Sequence, residues 1–366
     1  MNNVNKPIIA LKGFDQNLMA QGMQFEVGKT YEANKQTAPF GFEFQFNPFL
    51  ILSYSKKNEY NPSRICKVEI IGEYHECKLS LGAFTATKIR VIEEITFNEL
   101  TFMALEWIEK QVEKINVIGK SQKQYNPLPS KIISNEDDEI ITLGTDTTSV
   151  KASGRNTTIY AHKPFKDIFS EGSNSKIFFS GCSTNIVSMG YEDIINAKGD
   201  MSYINMMGLE SYVLLSGYHQ GLVANKTSYI FSCGKNATII TNANHSTIFS
   251  TSHSDIITAN GDTTAIISNG DFARITANGF INTIESQGKE AIIQCYGYKS
   301  MVKAKKGSFI SFSDWDIDYD DQGIPKHVEL KAKTVQVDGQ NIKEDTWYTF
   351  TKGEIKELQN NPKSKT

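Results

Sequence analysis

The sequence predicts a mainly β fold: a central nonapeptide β-solenoid (a β-roll or β-helix), preceded by a small N-terminal α/β domain and followed by a C-terminal β cap. Three observations predict it. Glycines recur every nine residues, first as Gly172, Gly181, Gly190, Gly199, Gly208 and Gly217, then as Gly261, Gly270, Gly279, Gly288 and Gly297. Four residues before each glycine position stands a branched aliphatic, from Ile141 and Val150 through Ile239 and Ile284 to Val302, nineteen times without a polar intrusion. Neither flank keeps this period. The two glycine sets are out of phase by one residue, and a single eight-residue repeat between Leu222 and Ile230 accounts for the shift.

Residues 1–118 read as a separate compact domain. Strand-like runs are Lys6–Leu11, Gln24–Val27, Phe42–Phe46, Ile65–Ile71 and Thr87–Ile92. Asn98–Ile115 is the clearest helix, since Phe102, Leu105, Ile108, Val112 and Ile115 recur at helical spacing, with Asn98 as N-cap. Residues 119–137 form a linker, marked by Pro127 and Pro129 in a polar stretch.

Residues 138–306 are the solenoid. Two residues after each aliphatic the side chain is usually small, as in Ala259, Ser268, Ala277 and Ser286. A spacing of two puts both side chains on one face of a strand. One such strand cannot bury its face alone; stacked repeats bury a continuous ladder. The Asn260–Gly261–Asp262 corner suggests glycine at a left-handed backbone position. Two repeats per coil give a flattened roll of about nine coils, each adding roughly 4.8 Å. Residues 307–366 read as a capping hairpin: strands Ser308–Ser313 and His327–Val337 joined by the acidic turn Asp316–Gly323, then a turn at Val337–Gly339 and strand Thr346–Phe350.

The residue after each aliphatic should point outward. On one sheet of the roll that row reads Phe178, Asn196, Leu214, Phe231, Phe249 and Ile267, and the neighbouring row includes Ile194, Tyr212 and Tyr229. An apolar stripe of that size meets something: the N-terminal domain, a second copy, or a foreign protein. The expected interaction surface is therefore Phe178, Ile194, Tyr212, Leu214, Tyr229, Phe231, Phe249 and Ile267, with a homodimer as the expected state. Nucleic acid is disfavoured because Lys and Arg are not interleaved with these aromatics.

Three groups of residues carry a family resemblance: Leu11–Asp15 (LKGFD), Gln24–Glu32 (QFEVGKTYE) and Gly41–Phe44 (GFEF). Together with the nonapeptide tract and the ending Val335–Glu354 (VQVDGQNIKEDTWYTFTKGE), they resemble an uncharacterised domain family common in phage and prophage proteins. The resemblance covers most of the chain. It implies phage origin and no known activity. A weaker likeness joins the first half to ADP-ribosyltransferase domains, and implies NAD-binding roles at Lys12 and Tyr54. Lys12 departs from the Arg or His those enzymes use, and no late Glu is matched.

Composition narrows the function classes. Lys plus Arg is 38 against 41 Asp plus Glu, which excludes a generally basic nucleic-acid binder. No stretch reads as a membrane span or a secretory signal. The five cysteines are widely spaced and form no disulfide or zinc framework, which suits a reducing cytoplasm. Cys66, His75 and Cys77 lack a fourth metal ligand at sensible spacing, and Asp314–Asp321 lacks the glycine and glutamate of a calcium loop. No nucleophile elbow, phosphate loop or metalloprotease motif occurs, and no cofactor is implied. A glycosidase cleft stays an open alternative, since spacing alone does not pair carboxylates across coils. The expectation is a non-enzymatic interaction protein in the host cytoplasm that blocks or sequesters a host factor. The alternatives are a virion component and an enzyme built on the N-terminal domain.

Overall fold

The computed structural model describes residues 7–15, 17–34, 40–53, 64–77, 83–96, 99–104, 106–107, 110, 121–122, 130–319, 322 and 324–358. The chain divides into two compact units, residues 1–107 with 359–366, and residues 108–358.

The first unit is a seven-stranded sheet in the order Thr30–Glu32, Lys88–Ile95, Arg64–Ile70, Ile8–Phe14, Phe42–Gln45, Ala83–Ala86, Tyr74–Glu76. Every pairing in it is antiparallel. Antiparallel neighbours need no crossover helix; among the described residues helix accompanies the sheet at Leu50–Ser53 and in the segment after Thr96. One core cluster lies on the face of Ala10 and Phe14, where Phe25 contacts Phe14, Tyr31 and Phe42 with ring centroids 4.6–5.8 Å apart, and Leu11 and Ile65 are buried on the opposite face.

The helix expected from Asn98 starts differently. Thr96 Oγ1 accepts the Glu99 N–H at 3.2 Å, and the Glu99 carboxylate accepts the Thr96 N–H at 2.7 Å. This reciprocal arrangement is a capping box, and it makes Thr96 the cap. Leu100 and Ala104, four residues apart, are fully buried, whereas Phe102 is exposed. Leu105, Ile108, Val112 and Ile115 lie outside the described residues.

The second unit contains the solenoid, about ten turns over residues 131–313. Successive strands alternate between two sheets of thirteen and twelve strands, parallel along the coils and antiparallel only at their C-terminal ends, so one coil carries two repeats. Registry advances by eighteen residues: Ile141 pairs with Ile159, then Ile159 with Ile177. Across the eight-residue repeat it advances by seventeen, pairing Val213 with Ile230 and Leu222 with Ile239. The stacking begins within the segment read as a linker, with Ser121–Gln122 on Glu139–Ile140 in one sheet and Lys131–Ser134 on Ser149–Ala152 in the other, and its last parallel rung is Ile292–Tyr296 on Phe309–Ser313.

All nineteen predicted aliphatics lie in one core, extended by Ile132 and Ile310. Burying each such side chain is worth about 1.5–3 kcal/mol. The small residues two positions on share that interior. A third inward column precedes the aliphatic by two residues and is mostly small and polar: Ser175, Thr184, Asp193, Ser202, Ser211, Asp255 and Thr264 are all buried.

The glycines have a different cause from the one expected. Gly172, Gly199 and Gly279 do not adopt left-handed backbone; that conformation belongs to the residue two positions later, as at Asn174 (φ 58°), Thr263 (φ 57°) and Ile281 (φ 57°). Glycine is required by proximity. A Cβ on Gly172 would lie 1.9 Å from the Gly154 carbonyl oxygen one coil back, and one on Gly279 would lie 2.2 Å from that of Gly261. The left-handed residues are held by hydrogen bonds to the next coil, with Asn174 N–H donating to Tyr191 O (2.7 Å) and Thr263 N–H to Phe280 O (2.8 Å). At the corners Asn242 donates to Asn225, Asn260 to Asn242 and Asn278 to Asn260, at 2.7–2.9 Å, forming an asparagine ladder.

After the last parallel rung the chain reverses. Phe309–Tyr319 pairs antiparallel with Pro325–Gln336 over a register that runs from Phe309↔Gln336 to Tyr319↔Pro325. Asp316 and Asp318 therefore belong to a strand and not to the turn expected there. Val337–Gly339 is likewise no hairpin between paired strands. The Asp338 carboxylate gathers the N–H groups of Gln340, Asn341 and Ile342, a looping that polar side chains favour. The two-residue hairpin is Lys352–Gly353, both left-handed, between Tyr348–Thr351 and Glu354–Glu357.

Candidate interaction surface

The eight residues of the expected stripe all lie on the outer face of one sheet, in strands Lys176–Phe179, Ile194–Ala197, Ser211–Leu215, Ser228–Ser232, Thr247–Ser250 and Ala265–Ser268. Coil stacking brings them into ladders. Tyr212 stacks on Tyr229 at 4.9 Å and Phe231 on Phe249 at 6.3 Å. They are not open, however. Phe178, Leu214, Tyr229, Phe231, Phe249 and Ile267 are buried within the single chain, and Ile194 and Tyr212 are half-buried. Stacked rows of this kind bury apolar area coil upon coil.

The N-terminal candidates separate in the same way. Lys12 is buried; its Nζ donates to Gln21 Oε1 at 3.0 Å and to the Glu43 carbonyl at 2.8 Å, between the rings of Phe14 and Phe25. Gln21 also accepts the Glu43 N–H and donates to the Gly41 carbonyl, so the group ties three segments together. Tyr54 lies outside the described residues. Cys66, His75 and Cys77 form no group that could hold a metal ion among the described residues. Burial pushes the Cys66 thiol up to about 12, which keeps it protonated.

Two buried carboxylates were invisible as such in the sequence. Asp193 accepts the N–H groups of Ser175 (2.8 Å) and Gly190 (3.1 Å) and the Ser188 hydroxyl. Asp255 accepts the Ala237 N–H at 2.8 Å and the hydroxyls of Ser232 and Ser250 at 2.9 Å. Burial raises Asp193 to about 6 and moves Asp255 the same way, against the lowering effect of those hydrogen bonds. Their place in the inward polar column was the available signal.

One open apolar group lies on the terminal ribbon. Trp315 stands opposite Leu330, and Ile317 opposite Val328. Directly opposed antiparallel residues share a face, so all four project together. They are 36–57% exposed, high for large apolar side chains grouped on one face. The other face carries Asp314 opposite Lys331 and Asp316 opposite Glu329. Beyond Ser313 the ribbon has only its two strands among the described residues, because the neighbouring strand Ile292–Tyr296 ends there. Of the four apolar side chains, only Val328 and Leu330 stood in an expected strand; Trp315 and Ile317 lie past the end expected for theirs, at Ser313.

A family model described as a domain of unknown function (DUF7666) matches residues 8–103, the span of the N-terminal sheet. No curated protein and no solved structure matches the chain.

Proposed function

We propose that the protein is a non-enzymatic binding protein of phage origin. In this reading the stacked coils form a rigid mount, and the ribbon face of Trp315, Ile317, Val328 and Leu330 engages a protein in the host cytoplasm. The observation that carries the reading is that face: four large apolar side chains, aligned by register and open to water. Apolar area of this kind binds without any chemistry at the site. The phage origin rests on the motif resemblance in both flanks. The reducing location is supported by five free thiols, two of them buried.

The test is capture from an infected or expressing host by the full chain and by W315S/V328S. A partner held in stoichiometric amount by the unaltered chain and lost with the double variant is the expected result. Equal capture by both would refute the role of this face. A second reading, a virion component, is favoured by the twelve-residue strand Pro325–Gln336 at the end of its sheet, which suits assembly. Co-sedimentation with particles separates the two.

A further inference from the structure

We propose that the ribbon pairs edge to edge with the same ribbon of a second copy, through strand Pro325–Gln336, in one register centred on Leu330. The inference concerns the edge and not the apolar face, so it stands whether or not a foreign protein docks on that face.

Three observations lead to it. The strand is terminal in its twelve-stranded sheet, so among the described residues no strand pairs with its outer edge. Backbone groups along such an edge are a template for another strand. Past Ser313 the ribbon is an isolated pair with an open apolar face, and a two-stranded ribbon is marginal in water without a third strand.

The sequence of the strand fits its own two-fold mate. An antiparallel pair centred on Leu330 sets Leu330 against Leu330 of the second copy and Val328 against Ala332, all on the apolar face. On the charged face Glu329 meets Lys331 twice, once on each side of the axis. Within one chain the register puts Asp316 opposite Glu329, like charge against like, while Lys331 reaches Glu329 along its own strand at 2.5 Å. In the pair Lys331 would stand between Asp314 of its own ribbon and Glu329 of the other. Moving the centre by one residue, to Lys331, would set lysine against lysine at the axis. The two-fold arrangement uses one patch on both copies and closes after two.

The test uses the full chain in sedimentation experiments over a range of concentrations. The unaltered protein should be a dimer. E329K and K331E should each weaken the dimer at least about tenfold, because both Glu329–Lys331 contacts become repulsive. An equimolar mixture of the two variants should recover it, since Glu then faces Lys at every contact. Both side chains are on the surface, and matching thermal melts check that each variant is folded. A monomeric unaltered protein, single variants that dimerise as well as it does, or a mixture that stays monomeric would each overturn the proposal.

Discussion

Replacing Gly172 by alanine tests the reason for the nine-residue glycine step, because two explanations predict opposite signs. Gly172 is not in the left-handed region. At an unstrained position of this kind, Gly→Ala stabilises a protein by roughly 0.4–1 kcal/mol by restricting the unfolded chain. The packing argument predicts the reverse. The added Cβ would stand 1.9 Å from the Gly154 oxygen and 2.5 Å from its carbon. Ordinary contact needs about 1.5 Å more at the oxygen. That carbonyl is also fixed by the Thr157 hydroxyl, which donates to it at 2.8 Å. Relief therefore requires one coil to lift from the next and to weaken neighbouring rungs. Overpacking of this order costs about 1–3 kcal/mol, and a lost backbone hydrogen bond about 1 kcal/mol. The expected net loss is about 2–3 kcal/mol, or roughly 5–10 °C in the thermal midpoint for a unit of this size. Circular dichroism melts of the two proteins under one scan rate give the answer. A midpoint equal to or above that of the unaltered chain would refute the packing account.

Two further outcomes follow from the interior. Ile248→Ala, at a fully buried rung, should cost about 2–5 kcal/mol, and Ile248→Val only about 0.5–1.5, by chemical denaturation. Asp193 sits at about 6 when folded and near 3.8 when unfolded, so the folded state prefers its neutral form. Its contribution to stability is fully present below the unfolded value and is lost as pH rises through 6, a swing of up to about 3 kcal/mol. Denaturant midpoints should therefore rise from pH 7 toward pH 4.5, and D193N should flatten that slope; an unchanged slope would show that Asp193 does not titrate there.

The solenoid was legible because its cause is local and repeated. An aliphatic at every ninth position and a small residue two further on define a strand face. The shift between Leu222 and Ile230 survived because corners, and not strands, absorb a missing residue. The glycine cause was misread because coil-to-coil distance, unlike corner conformation, leaves no trace in a single repeat. The outward stripe at Phe231 and Phe249 was placed on the right face, but exposure depends on what covers a face, and spacing does not encode that. The helix start was misassigned although Thr96 and Glu99 carry the cap signature, because Asn98 lay nearer to the apolar run. The open ribbon went unread for a related reason. Leu330 was seen in a strand but Trp315 was not, and only their cross-strand register makes them neighbours.

The change of direction after Tyr319 also bears on how the stack ends. Up to Ser313 each turn is a mould for the next, all pointing one way, and a stack of that kind has no intrinsic size. The returning strand Pro325–Gln336 points backwards, so a further turn laid in the original sense would meet an antiparallel neighbour there and not the parallel one that every earlier turn met. A single antiparallel rung thus ends the translation by which each turn copies the one before it.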